Sequence, residues 1–345
     1  MYKIDQRIVI VTRKTRQEEL TAKFGTKGQA QFYVSRSRSA YAGKLAEKRA
    51  IAAPGKALKS IALAEKLAES EALGELQDIE KESASYGEIV GGLRQEMDFG
   101  VPVQVVDRAL VPNLVFGPKD VVVAIGQDGL VANVAKYALG LPIVGVNPDP
   151  AQYDGVLLPF EWRQARAAVR RALDGKAKVR EVTLAEARLA DSQRLLAFND
   201  LFIGARTHVS ARYRIQVDAH AERQSSSGIL VSTGAGSTGW LSSVLNMARG
   251  VMALGSPKTQ RPSMPMTWED RKLAYVVREP FASKSSAANV VAGMLKEQEQ
   301  MTVESFMGPE GVIFSDGVEA DALPFAQGAI ATIGVAKEKA RLVVG

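Results

Sequence analysis

The sequence predicts an α/β N-terminal domain on an open, mostly parallel sheet, joined to a β-rich, sandwich-like C-terminal domain. Three observations carry this reading. Apolar strand-like runs alternate with helix-compatible ones up to about residue 160. Short alternating runs separated by turns fill the rest. Between the first two strand-like runs lies a long stretch rich in Ala, Lys, Glu and Leu. The expected domains are therefore 1–160, with a helical insertion at about 37–97, and 161–345.

The elements follow in order. IVIVT, Ile8 to Thr12, reads as a short buried strand. From Ser37 to Met97 the composition is helical, most clearly in KALKSIALAEKLAESEALGELQDIEKE. Its charge is basic through Lys59 and acidic from Glu69 to Glu82, which suits a solvated helical hairpin better than a binding arm. VPVQVVD, DVVVAIGQDGLVANVAKYAL and LPIVGVNPDP read as strand, strand–turn–helix and strand. EWRQARAAVRRALDG is an amphipathic connecting helix. Beyond it, VREVTL, LLAFNDLFIG, ARYRIQVDA, SGILVST, LAYVV, EQMTVESF, GVIFSDGVEAD, AIATIGVA and ARLVV are strand-like, with one good helix among them.

Composition narrows the chemistry. At 345 residues, 46% hydrophobic and 24% charged, the chain is long enough for two cores. Zero cysteines exclude disulfides, thiolate metal sites and cysteine nucleophiles, and fit a reducing cytoplasmic compartment. Two histidines, His208 and His220, argue against a histidine metal centre, so no protein metal site is expected. Phosphoryl transfer stays open, because it needs positioning, Mg²⁺ and one carboxylate. A net charge of +6 suits a polyanionic ligand. Without clustered aromatic residues it argues against nucleic acid. No apolar run is long enough to span a membrane, and MYKIDQRIVIVTRK lacks a signal-peptide pattern.

Four stretches could carry chemistry. SGILVSTGAGSTGW contains G-A-G-S-T-G, the spacing of the dinucleotide fingerprint. A Rossmann turn needs a carboxylate about 20 residues later. Here the first acid after Glu222 is Glu269, and Ser256 to Asp270 is a proline-rich loop rather than a strand. The Rossmann reading is rejected, while Ser237 and Thr238 at a helix N-terminus keep a phosphate or ribose role. In VVVAIGQDGLV, Asp128 follows a buried strand, flanked by Gly126 and Gly129, at the sheet edge where α/β folds bind ligands. The alternative is a tight turn with Asp capping the next helix. Asn199-Asp200 in LLAFNDLFIG is a polar pair in an apolar run that needs partners from a ligand or from backbone at a bulge. Asp316-Gly317 reads simply as a type I′ hairpin turn.

Taken together, these motifs resemble the NAD kinases. GQDG is similar to that family's G-G-D-G, Asn199-Asp200 to its Asn-Glu pair, and STGAGSTGW to its S-T-P-T-G-S-T-A-Y loop. NDLFIG, SSSG and GVNPDP followed by LLP resemble the mitochondrial-type branch most. The resemblance covers Val101 to Trp240 well and the rest in outline. It implies transfer of the ATP γ-phosphate to the 2′-hydroxyl of the adenosine ribose of NAD, giving NADP. Asp128 would be catalytic, and Mg²⁺ would be held largely by ATP. Gly126, Asp128 and Gly129 would approach the phosphates. Asn199, Asp200, Ser227, Thr233, Ala235, Gly236, Ser237, Thr238, Gly239 and Trp240 would bind the dinucleotide. On this reading 1–160 binds nucleotide and 161–345 dinucleotide, in a homodimer.

Departures from the pattern define the rivals. Gln127 stands at the family's second glycine and Leu130 at its threonine, which raises a non-catalytic NAD(P) sensor. Ser225 and Ser227 replace Arg and Asp, Ala235 and Gly239 replace Thr and Ala, and Trp240 replaces Tyr. A lipid or sugar kinase shares the G-G-D-G turn, but the S-T-x-x-G-S-T loop favours a dinucleotide.

Overall fold

The computed structural model describes residues 6–50, 57–255 and 263–345. The signal-peptide reading at residues 1–5 and the start of the proline-rich loop, 256–262, lie outside them. The chain forms two compact units: Thr12–Glu96, and Met1–Val11 with Met97–Gly345.

The smaller unit is helical, with α1 (Arg16–Phe24), α2 (Lys27–Ala50) and α3 (Ala57–Glu96). Helix starts earlier than the Ala-rich composition indicates. Thr15 and Glu18 form a reciprocal capping box, each bonding the other's backbone N–H. Helices α2 and α3 run antiparallel as the expected hairpin, with Lys27 on Glu80 (2.9 Å) and Arg38 forked on Glu75 (2.8 and 2.5 Å). Ala30, Ala72 and Leu76 are buried in this unit, the small side chains allowing close helix approach.

In the larger unit, β1 (Ile8–Thr12), β2 (Val103–Asp107), β3 (Val121–Ile125) and β4 (Pro142–Asn147) lie in one sheet, with α4 (Asp128–Ala135) between β3 and β4. β1, β3, β4 and the short β5 (Phe160–Glu161) pair in parallel. β3 is buried throughout, as parallel strands covered on both faces are. Helix α5 (Trp162–Leu173) buries Ala165, Ala168, Val169, Ala172 and Leu173, a stripe with helical spacing.

The chain then turns to antiparallel pairing. β6 (Val179–Leu189) and β7 (Arg194–Ala197) form a hairpin, followed by β8 (Asp200–Ala205), β9 (Ala211–Val217), β10 (His220–Ser226) and β11 (Ile229–Ser232). Helix α6 (Trp240–Gly255) leads to β12 (Lys272–Val277), β13 (Ala292–Lys296), β14 (Met301–Ser305), β15 (Gly311–Ser315), β16 (Val318–Pro324) and β17 (Ile330–Val343). A six-stranded antiparallel sheet runs β13-β12-β11-β8-β15-β16. The other sheet runs β10-β9-β14-β17-β4-β3-β1-β2, with β5, β6 and β7 branching from it. Strand β17 joins its parallel and antiparallel parts, pairing in parallel with β4 and antiparallel with β6 and β14.

Two sequence runs are divided differently from the expectation. AIATIGVA and ARLVV are one strand, β17, carrying a bulge between Val335 and Lys339. LLAFNDLFIG is two strands, broken at Phe198-Asn199. One core gathers Tyr213, Ile229, Val231 and Phe325 between the antiparallel layers; another packs β3, β4 and α4 around Val122, Ile143 and Leu130.

Candidate functional site

Strand β3 ends at Ile125, and Gly126 donates its N–H to Val146 (3.2 Å), so the turn leaves at the carboxyl edge of the parallel strands. Gln127 is the N-cap of α4, with φ −111° and ψ 163°. That is ordinary extended backbone, so the position places no conformational demand for glycine. Its side chain is exposed, whereas Leu130 is buried in the core. Asp128 is the first residue of α4, where the helix dipole favours a carboxylate. Its Oδ1 accepts the N–H of Leu157 at 2.6 Å. The segment carrying Leu157 is held in turn by Asn147, whose Nδ2 donates to the Tyr153 carbonyl and whose Oδ1 accepts from Asp149 N–H.

The Asn199-Asp200 pair sits where β7 gives way to β8. The structural partners come from the β15–β16 hairpin. Asp316 and Gly317 have φ of 54° and 70°, the two left-handed residues of a type I′ turn. The Asp316 carboxylate accepts from Phe198 N (3.0 Å), Asn199 N (2.6 Å) and Asp200 N (3.2 Å), and its own N–H donates to Asp200 O. Burial raises its pKa, against the pull of those three N–H groups and of Lys136. Asp200 is buried, and its Oδ1 has no hydrogen-bond partner. Burial pushes this carboxyl up to about 7; the Ser232 hydroxyl lowers it and the neighbouring Asp316 raises it further.

The glycine-rich loop packs on the same corner. Thr233 N–H bonds Asn199 O (2.9 Å), and its hydroxyl donates to Phe198 O (2.5 Å). A Cβ on Gly236 would lie 2.3 Å from Asn199 O, and one on Gly234 only 1.7 Å from Thr267 O. These glycines are needed for close backbone packing of the loop within the chain, whatever else approaches them. Trp240 opens α6 and stacks on Phe202 (5.6 Å, 14° between planes) and Phe314 (6.4 Å, 17°), with the Arg278 guanidinium 5.4 Å over its ring.

A cleft of about 410 Å³ draws these pieces together. Asp128, Gly129, Asn199, Asp200, Ala235, Gly236, Thr238, Gly239 and Trp240 line it. Gly126 is buried at the strand end, Ser227 is exposed at the β10–β11 connection, and neither lines the cleft. Thr233 is fully buried, and Ser237 Oγ is bonded to Gly234 O (2.7 Å). Thr233 ties the loop to Phe198 and Asn199, and Ser237 serves the loop's own backbone. Asp316 and Trp268 also line the cleft: the first is read from sequence as a turn residue only, and the second carries no sequence signal of its own. The turn signal at Asp316 was visible, but its partners lie 116 to 118 positions away. Among the described residues, no three His, Cys, Asp or Glu side chains cluster to hold a metal, and no helix is long and apolar enough to cross a membrane.

No family model matches the chain. In sequence it is 27% identical over 263 residues to the mitochondrial NAD kinase 2 of Rattus norvegicus. That match takes in 57% of this chain and 61% of the relative's length. Yeast NADH kinase, solved with NADH, superposes with a TM-score of 0.53 at 13% identity, covering 99% of this chain and 84% of that one. The chain has the NAD kinase fold. The sequence likeness is to a mitochondrial NAD kinase and the likeness in fold is to an NADH kinase. An NAD kinase from Archaeoglobus fulgidus, solved with ATP, superposes less closely, at TM-score 0.48 and 17% identity over 74% of this chain and 89% of that one.

Proposed function

We propose that the protein is an ATP-dependent NAD kinase, moving the ATP γ-phosphate to the 2′-hydroxyl of the adenosine ribose of NAD to give NADP. The observation that carries this reading is the convergence in one cleft of Asp128, Asn199, Asp200 and Trp240, from elements far apart in sequence.

Asp128 is the catalytic group. Half-buried on the glycine-flanked turn, it accepts or orients the proton of the ribose hydroxyl while its bond to Leu157 N–H holds the carboxylate in place. Gly129, exposed on the turn, leaves room for phosphates, and Gln127, extended and solvent-facing, leaves that approach open. Asn199 and Asp200, which both line the cleft, hold the ribose or adenine. Trp240, braced by Phe202 and Phe314, lines the cleft beside the loop from Gly234 to Gly239 and would contact the dinucleotide there. Mg²⁺ would be held largely by ATP, since that ion binds through one or two carboxylates plus phosphates. Asp128, which lines the cleft, would be the carboxylate able to share it, and the ion would neutralise the phosphate charge. The setting is a reducing, cytoplasmic one, in keeping with the absence of cysteine. A homodimer accompanies the reading.

The test is to incubate the purified protein with Mg-ATP and NAD and assay for NADP. NADP formation supports the kinase. Tight NAD binding without any NADP supports the non-catalytic sensor instead.

A further inference from the structure

The Asp316-Gly317 turn does more than reverse the chain. A type I′ turn needs only two residues that tolerate positive φ, and asparagine meets that need at least as well as aspartate. Nothing in turn chemistry calls for a buried carboxylate. Yet Asp316 sinks its carboxylate against three successive backbone N–H groups, at the break between β7 and β8. Those amides belong to Phe198, Asn199 and Asp200. Without an acceptor they would be left unpaired at the point where the chain leaves one sheet for the other.

The same hairpin is tied to α4. Lys136, at the C-terminal end of that helix, is almost fully buried; its Nζ donates to Ser315 Oγ (2.8 Å) and pairs with Asp321 Oδ2 (2.8 Å). Tyr137 donates its hydroxyl to the same Asp321 oxygen. Helix α4 begins with Asp128. One hairpin therefore contacts the helix of one cleft acid and the backbone of the other.

We propose that Asp316 is a positioning residue for the dinucleotide. Its carboxylate fixes the backbone of Asn199 and Asp200 so that both side chains face the cleft, and the Lys136 contacts keep helix α4 in register with that corner. This rests on the kinase reading for the identity of the ligand.

The experiment compares Asp316→Asn with the parent. If Asp316 is only a turn residue, asparagine leaves NAD binding, NADP formation and amide exchange at 198–200 unchanged. The positioning role predicts faster hydrogen exchange confined to those three amides. It also predicts a Michaelis constant for NAD raised about tenfold, with that for ATP within about twofold of the parent. Because Asp316 acts in part through Asn199, the loss in the variant combining Asp316→Asn with Asn199→Ala should fall clearly short of the product of the two single losses. Additive losses, or unchanged exchange, overturn the proposal. Asp316→Gly keeps the positive φ without any side chain and serves if the asparagine variant does not fold; the same outcomes apply. If the parent forms no NADP, the kinase reading fails by itself. The exchange rates then decide: acceleration at 198–200 supports the lock, and unchanged rates overturn it.

Discussion

Asp128 and Asp200 line one cleft, but their surroundings differ. Asp128 sits on an exposed turn at a helix N-terminus, its carboxylate tethered by a single N–H and otherwise open. Asp200 is enclosed where β7 meets β8, beside a second carboxyl, with one oxygen unpartnered and its pKa lifted to about 7. A raised pKa is a common mark of a general base, which would point to Asp200. Geometry points the other way, because a base must reach the proton it takes while an enclosed group serves better to hold a ligand. The lesson is that the two acids have separable roles: the open one for chemistry, the enclosed one for binding.

Exchanging each acid in turn gives the largest expected effect. Asp128→Asn should lower turnover about 10²- to 10⁴-fold while leaving NAD affinity near the parent's. Turnover close to the parent's, read in a steady-state NADP assay, would leave Asp128 only the structural bond to Leu157 N–H and move the base role to Asp200.

Next comes Asn199→Ala. Loss of one partner to a buried polar ligand group costs about 1–3 kcal/mol, or roughly 5- to 150-fold in NAD affinity. Calorimetric titration should show that loss for NAD and little change for ATP. The opposite pattern would reverse the assignment of the two sides of the cleft.

Asp200 gives a smaller, pH-dependent signal. Unfolded, its carboxyl titrates near ~3.9; folded, at about 7. Between those values the folded chain binds the extra proton, so the stability it contributes is full below ~3.9 and is lost as pH rises through about 7. Asp200→Asn removes that dependence. Its melting temperature should fall less than the parent's between about pH 5 and pH 8. Parallel curves would show that Asp200 does not carry the shift.

Gln127→Gly should do least. The extended backbone at Gln127 already accepts a side chain, so NADP formation should change by no more than about tenfold. An inactive parent beside an active glycine variant would favour the sensor.

These contrasts also mark what was readable from the chain. The Asp128 turn was open to reading because an all-apolar parallel strand followed by glycines and an acid is a local signal. Strand β10 was not: HAERQSS carries polar residues on both faces, as an edge strand at the end of its sheet can. Helix α1 announced itself only through Thr15 and Glu18, a capping box ahead of a mostly polar run. The β7–β8 break was hidden because Phe198 and Asn199 depend on an acceptor from β15–β16. Local patterns gave the elements, and the long-range polar contacts that shape the cleft had to come from the fold.

The account is tested most directly by a single-turnover reaction with ATP labelled in its γ-phosphate, Mg²⁺ and NAD, run with the parent and Asp128→Asn side by side. It predicts that the parent places the label on the 2′-oxygen of the adenosine ribose and that the asparagine variant does so at least about 10²-fold more slowly. Label released only as free phosphate, or transferred equally fast by both proteins, would contradict it.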